Sequence, residues 1–367
     1  MQNLFRPYTF NNGASVKNRL AVAPMTHFSS DPDGHLSDEE RRFLQGRATG
    51  FGLFITAATL VAPEGKAFIG QPHAINNADI APLRETARLI QAQGAKAILQ
   101  IHHGGSQAVA ELLGGRDKVA PGDDEENGAR ALAAAEIGHI IAAFGRATTI
   151  AITAGFDGVE IHGANGYLLQ QFYSGHSNRR RDIWGQERLR FPLAVVDAVA
   201  AARAAAGRPD FIIGYRFSPE EAEEDGLTMQ DTFVLVDALC GKPLQYLHVS
   251  LHDYFSHARR GADSSRTRVA LLHERINGRL PLMAVGSLLT AEQIARAAAD
   301  GNAEFIALGR AVLLNPDMAT LLQNGDYDRI ETELDPARRE AYRYPRHLWE
   351  LNLRNSGFLP RIKGAAS

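Results

Sequence analysis

Leu282-Met-Ala-Val285-Gly286-Ser287, a helical run over 290–299, and then Phe305-Ile-Ala-Leu308-Gly309-Arg310 make one strand–helix–strand unit, and the chain repeats that unit along its length. Short apolar, β-branched runs alternate with longer helical patterns, the signature of βαβ units and a parallel sheet. Working back from this pair, the earlier strands read as Leu20-Ala-Val-Ala-Pro-Met25, Gly52-Leu-Phe-Ile-Thr56, Ala97-Ile-Leu-Gln-Ile101, Gly158-Val-Glu-Ile-His162, Phe211-Ile-Ile-Gly-Tyr-Arg216 and Tyr246-Leu-His-Val-Ser250. Helices are expected near 38–48, 81–93, 132–153, 191–206, 232–239, 267–277, 290–299 and 316–323. Gly94, Gly207 and Gly301 each close a helical run as a C-cap would. Eight such units point to a closed (β/α)8 TIM barrel, an α/β fold. An open doubly wound sheet needs fewer, and its G-x-G-x-x-G fingerprint is missing from the sequence.

At 367 residues the chain exceeds the roughly 250 of a plain barrel but fits one with extended loops. No Gly/Pro/Ser-rich linker splits it, so a single domain is expected over 1–367, with the barrel at about 18–324 and a tail over 325–367. The segments 104–128, 163–190 and 252–266 are longer than a barrel needs. All follow strands and belong on the C-terminal face, where barrel active sites are built. With 45% hydrophobic and 22% charged residues and a formal net charge of −3, the composition is that of an ordinary globular protein with no footprint for nucleic acid or anionic membrane. One cysteine, Cys240, excludes an internal disulfide framework and a cluster held by several thiolates. With no apolar leader and no run of about 18 apolar residues, the sequence reads as cytoplasmic, with no membrane partner.

Polar residues at strand ends mark the chemistry of a barrel. The glycines of Val285-Gly286-Ser287 and Leu308-Gly309-Arg310 follow strands seven and eight, where barrels commonly bind phosphate through backbone N–H groups and a helix N-terminus, with Arg310 to neutralise the charge. A pair of tight turns is the plainer reading. Arg216 ends an apolar strand and must face the mouth or find a buried partner, such as Glu160, because unpaired burial is costly. Facing the mouth, it could stabilise the anionic edge of a reduced flavin. Gln100 interrupts an apolar strand and suits the pyrimidine ring of a flavin, or else is a core glutamine with its own partner. His162, Asn165 and Tyr167 follow one strand at offsets of zero, three and five. Two neutral donors and a phenol there could stabilise a developing enolate and supply a proton. A zinc site made with His102 and His103 is the competing reading. Adjacent residues on a strand point to opposite faces, however, and no metal is expected.

Taken together and in order, these residues resemble the old yellow enzyme family of FMN-containing ene-reductases. The likeness runs from Lys17-Asn18-Arg19 to Gly309-Arg310 and is most specific over Phe156–Phe172, with Ser177-Asn178-Arg179 and Asp182 after it. It implies one non-covalent FMN at the barrel mouth, reduced by NADH or NADPH and reoxidised by a small enone-type substrate. By family pattern Ala23, Pro24, Met25, Thr26, Ala57, Gln100, His162, Arg216 and Val285 would lie against the flavin, and Gly286, Ser287, Gly309 and Arg310 would hold its phosphate. His162 and Asn165 would bind the substrate carbonyl, Tyr167 would be the proton donor, Phe28 would stand with them against the substrate, and His103 would support the site from behind. A homodimer or other homo-oligomer is the expected assembly, and the aromatic stretch 349–358 could dock on a neighbour.

Three positions depart from the pattern. Thr26 stands where one bacterial subgroup has cysteine, Phe28 where that subgroup has a substrate-binding tyrosine, and Ser106 where many members have arginine. These leave the reaction type standing and put substrate preference in question. Two rival functions remain open at this level. One is another FMN-barrel oxidation or reduction, of a 2-hydroxy acid, an amine or a dienoyl thioester. The other is flavin binding without turnover, which would not need a proton donor.

Overall fold

In the computed structural model, which describes residues 1–354 and 357–364, eight parallel strands close on themselves. They are β1 Leu20–Val22, β2 Leu53–Ile55, β3 Lys96–His102, β4 Gly158–Gly163, β5 Ile212–Phe217, β6 Tyr246–Ser250, β7 Leu282–Val285 and β8 Phe305–Leu308. Each pairs in parallel with its sequence neighbours, and β8 pairs back onto β1 with Ala307 opposite Ala21, which closes the barrel. The β-branched and aliphatic runs read as strands therefore are strands, buried on both faces as a parallel sheet requires.

Helices wrap the outside and begin where side chains can cap them. Thr228 and Thr290 accept from the backbone N–H groups of Asp231 and Gln293, which return the bond in capping boxes. Gly94, Gly207 and Gly301 all adopt positive φ just past a helix end, as expected of C-caps. The helix Ala134–Ala154 is long and apolar enough to cross a membrane, which the sequence reading did not anticipate. In the fold it packs between the helices Ile80–Gln91 and Arg190–Ala205, burying Ile137, Ile140, Phe144 and Ala147.

Among the elements that went unread in the sequence, two bear on access to the barrel. A hairpin of two-residue strands, Tyr8–Thr9 and Ser15–Val16, plugs the N-terminal end of the barrel. Its Phe10 stacks on Phe305 with ring centroids 5.5 Å apart, sealing an inner cluster that also holds Ile98, Ile212, Tyr246 and Met283. With this end filled by side chains, ligand access is left to the opposite, C-terminal face. The second element is the helix Arg346–Leu353 in the tail. His347 lies against Phe28 and Trp349 against Tyr344, so this segment packs on its own barrel. Of the stretch 349–358, Asn355 and Ser356 lie outside the described residues.

Candidate active site

The barrel interior carries one polar layer beneath its mouth, centred on Glu160 of β4. Gln100 Nε2 donates to Glu160 Oε1 at 2.8 Å, and the Tyr246 hydroxyl and His248 Nδ1 meet Oε2 at 3.0 and 2.9 Å. Burial by itself would push this carboxyl up. The charges of His248 and Arg216 and the hydrogen bonds outweigh it, so Glu160 is held below the usual carboxylate range and is an anion. The contact pair Arg216–Glu160, one of the two readings of the sequence, does not form, because the carboxylate oxygens are taken by other donors. Arg216 donates through Nη2 to Ser250 Oγ at 3.1 Å, and its Nε is buried with no acceptor. An orphaned guanidinium nitrogen at the mouth of a barrel is a group waiting for a ligand.

The mouth itself is a cavity of 430 Å³, inside the roughly 300–1,000 Å³ range of small-molecule and cofactor sites. Of the residues expected around a flavin, Ala23, Pro24, Met25, Thr26, Arg216, Val285, Ser287, Gly309 and Arg310 line it. Gly286 lies directly behind. A Cβ on it would fall 2.3 Å from the backbone nitrogen of Tyr254, so only glycine lets the two loops close on each other. Arg310 donates to Ser287 Oγ, and Ser287, held at a φ of 48°, donates to the carbonyl of His252. Thr290 and Gln293 already satisfy the start of the helix Ala291–Ala299, whereas the turn at Gly309 opens the helix Arg310–Leu314 with no side-chain cap. Apolar walls, an Arg216 Nε without an acceptor and glycine turns beside Arg310 fit FMN.

Ala57, Gln100, His162, Tyr167 and Phe28 do not line this cavity. Ala57 borders a small apolar cavity behind Ala23 and Met25. Gln100 commits one N–H of its amide to Glu160, so its second N–H and its oxygen remain for a ligand. Phe28, in the left-handed region at a φ of 57°, packs between Phe68 and His347 instead of facing the mouth.

His162, Tyr167 and His102 form a triangle of mutually touching rings, with centroids 5.2 Å apart for His162–Tyr167 and 4.3 Å for His102–Tyr167. The Ala164 N–H donates to His162 Nδ1 at 3.3 Å, which leaves the proton on Nε2. Burial, with His102 and Arg216 nearby, holds this imidazole well below its usual range, so it is a neutral donor. Burial pushes the Tyr167 phenol up and keeps it protonated, against the pull of Arg216. Asn165 sits in the left-handed region at a φ of 60° and lines both the mouth cavity and a wider cleft bounded by the 121–127 loop and Arg179–Arg181. Asparagine is one of the few residues that takes this conformation readily.

His102 and His103 part company as neighbours on a strand should. His102 Nδ1 meets Gln71 Nε2 at 3.0 Å, while His103 Nδ1 accepts from the Gly105 N–H and its Nε2 lies 3.9 Å from Glu64. His102 lies beside His162, with ring centroids 5.3 Å apart, and His103 turns away toward Glu64, so the three histidines do not converge on one point. The sequence reading missed Ser250, although it ends the sixth strand and carries the same strand-end signal as Arg216. It also missed Phe358 and Leu359, which line the mouth from the tail; nothing local in the sequence points to them.

A family model described as NADH:flavin oxidoreductase / NADH oxidase matches residues 3–329. "Probable NADH-dependent flavin oxidoreductase YqiG" of Bacillus subtilis (strain 168) is 48% identical over 363 residues, 97% of each chain. "NADH:fumarate oxidoreductase" of Klebsiella pneumoniae (strain 342) is 38% identical over 363 residues, 96% of this chain but only 39% of that one. Among solved structures, morphinone reductase in complex with tetrahydroNAD superposes with a TM-score of 0.77 at 27% identity, covering 94% of this chain and 97% of the other. The chain belongs to the NADH:flavin oxidoreductase / NADH oxidase family, the old yellow enzymes, and is an FMN-dependent oxidoreductase that takes its electrons from NADH or NADPH.

Proposed function

We propose that this enzyme reduces activated C=C bonds, with His162 and Asn165 binding the activating oxygen of the substrate and Tyr167 delivering the proton. The observation that carries the reading is the ring contact between His162 and Tyr167, which sets a neutral N–H donor beside a protonated phenol, on the same strand end as Asn165, which lines the mouth cavity. When bound in the mouth cavity, reduced FMN would supply a hydride for the β-carbon of the alkene. As the C=C electrons move toward the activating oxygen, His162 Nε2–H and the Asn165 amide stabilise the negative charge that develops. Tyr167 then gives its proton to the α-carbon, and solvent restores the phenol. Arg216 would set its positive charge against the flavin ring, where negative charge gathers on reduction. Ala23, Pro24, Met25, Thr26 and Val285 would supply the apolar bed of the ring, with Ala57 and Gln100 behind it. Gly286, Ser287, Gly309 and Arg310 would take the phosphate.

A second reading has its own support. The NADH:fumarate relative and an "NADH:acrylate oxidoreductase" of Vibrio harveyi share a donor and differ in acceptor. This chain spans only 39% and 36% of them, and NADH is what their names have in common, which makes the shared part the candidate for the NADH step. On that reading the chain is an NADH-oxidising unit whose electrons leave for another acceptor. The test separates the two. Enzyme reduced anaerobically with NADH is mixed with an enone, a maleimide, a nitroalkene, a quinone or oxygen, and the return of oxidised-flavin absorbance is followed. Fast reoxidation by alkenes with saturated product supports ene-reduction. Reoxidation by quinone or oxygen alone supports the second reading and ends the first.

A further inference from the structure

Ser250, the last residue of β6, joins the cation at the mouth to the substrate-side amide. Arg216 Nη2 donates to Ser250 Oγ at 3.1 Å, and Ser250 Oγ lies 2.9 Å from Asn165 Oδ1. Arginine can only donate, so the serine oxygen accepts from it and the single hydroxyl proton is free to go to Asn165. The opposite amide orientation would bring Nδ2 to the second lone pair of the serine oxygen and cost the hydroxyl proton its acceptor in Asn165. The chain Arg216→Ser250→Asn165 therefore runs in one direction and turns Nδ2, the donor end of the amide, away from Ser250.

The rest of Asn165 is held independently. Its backbone N–H donates to Ser218 Oγ at 2.8 Å, and its carbonyl accepts from Gln107 Nε2 at 3.0 Å. These bonds fix the left-handed turn, so the side-chain amide is the part that Ser250 alone orients. We propose that Ser250 is a positioning residue that fixes which end of the Asn165 amide meets the substrate, and that it links this choice to the charge of Arg216. The inference rests on the reading of Asn165 as a substrate clamp. It adds a reason for the site to prefer ligands that offer an acceptor oxygen: the amide can present its donor without an orientational cost, and a polarised hydroxyl behind Oδ1 makes that donor stronger.

The test uses FMN-loaded enzyme and a para-substituted phenol as probe, titrated by its charge-transfer absorbance, with Ser250→Ala, Ser250→Thr, Asn165→Ala and the double variant Ser250→Ala/Asn165→Ala. Loss of one oriented hydrogen bond predicts roughly threefold to tenfold weaker phenol binding in Ser250→Ala. The KM for alkene should rise more than kcat falls. Ser250→Thr, which keeps the hydroxyl, should restore most of the affinity. In the Asn165→Ala background the Ser250 change should have no further effect. If Asn165→Ala weakens phenol binding but Ser250→Ala does not, the proposal fails while the clamp stands. If Asn165→Ala itself changes nothing, the clamp reading fails first. If Ser250→Ala lowers FMN affinity while the FMN-bound fraction binds phenol normally, Ser250 serves the cofactor and the proposal is overturned.

Discussion

Gly214 and Tyr246 stand opposite each other in register on β5 and β6, and only one of them can have a side chain: a Cβ on Gly214 would lie 2.1 Å from Tyr246 Cζ. The vacant face of Gly214 lets the phenol cross the barrel to Glu160, on the far side of β5. There it joins Gln100 and His248 in holding the anion that sits beneath Arg216. A glycine on one strand thus decides where a charge settles two strands from its partner.

Gly214→Ala should therefore destabilise the fold by about 1–3 kcal/mol, the usual cost of overpacking, and should weaken FMN retention because the Glu160 layer shifts. Denaturant unfolding and flavin content check both. Tyr246→Phe, which removes only the hydroxyl, should cost less. An alanine variant as stable and as yellow as the parent would show that the ring has room to move.

Tyr167→Phe should slow flavin reoxidation by an enone on the order of a hundredfold or more, the usual contribution of a positioned acid. Reduction by the nicotinamide should be nearly unaffected. Stopped-flow measurement of the two half-reactions decides the matter. Equal losses in both would give Tyr167 a structural or cofactor role.

Arg310→Ala should raise the FMN dissociation constant roughly tenfold to a hundredfold, the range for a lost charge-assisted hydrogen bond. Quenching of flavin fluorescence on reconstitution of the apoprotein measures it. An unchanged constant would move the phosphate away from Gly309 and Ser287.

Acid should destabilise the protein beginning near neutral pH. Burial, with His103 beside it, holds the His102 imidazole down to about 3, whereas histidine in an unfolded chain takes its proton near pH 6.5, by the rough reference value. Between these values the unfolded state binds more protons, so stability is full above about pH 6.5 and falls as the pH drops through that window. His102 alone accounts for about 1.4 kcal/mol per pH unit, and neutral, buried His162 acts in the same direction. Urea unfolding at pH 7.5, 6 and 5 should show a shallower loss for His102→Gln than for the parent. Parallel losses in the two proteins would mean that the imidazole is already charged, or solvated, in the fold.

Legibility in the sequence followed the physics of each element. Strands β6, β7 and β8 carry dense β-branched or aliphatic runs between clear turns, and their expected and observed limits coincide. The helix expected over 132–153 is observed as Ala134–Ala154, because a long apolar stripe ended by Gly155 leaves little freedom in register. The Tyr8–Thr9/Ser15–Val16 hairpin went unread because two-residue strands show no period. It is stabilised by what Phe10 finds inside the barrel, which no local pattern reports. Phe28 was misplaced for a related reason: its left-handed backbone turns the ring to Phe68 and His347, a tail residue far along the chain.

The sequence by itself pointed to the barrel, since eight apolar strands alternating with helices bury both faces and leave no open edge when they close under a ring of helices. It also determined the chemical vocabulary of the mouth, because polar residues at strand ends have nowhere else to point. What only the tertiary structure decided is which of those groups answer one another. Closure brings Tyr246 and His248 across to Glu160 and so frees Arg216 from the ion pair that proximity in the sequence list allowed. It also sets Ser250 between Arg216 and Asn165. Hydrogen-bond partners separated by tens of residues are chosen by ångström-scale geometry, and that geometry exists only once the barrel has closed.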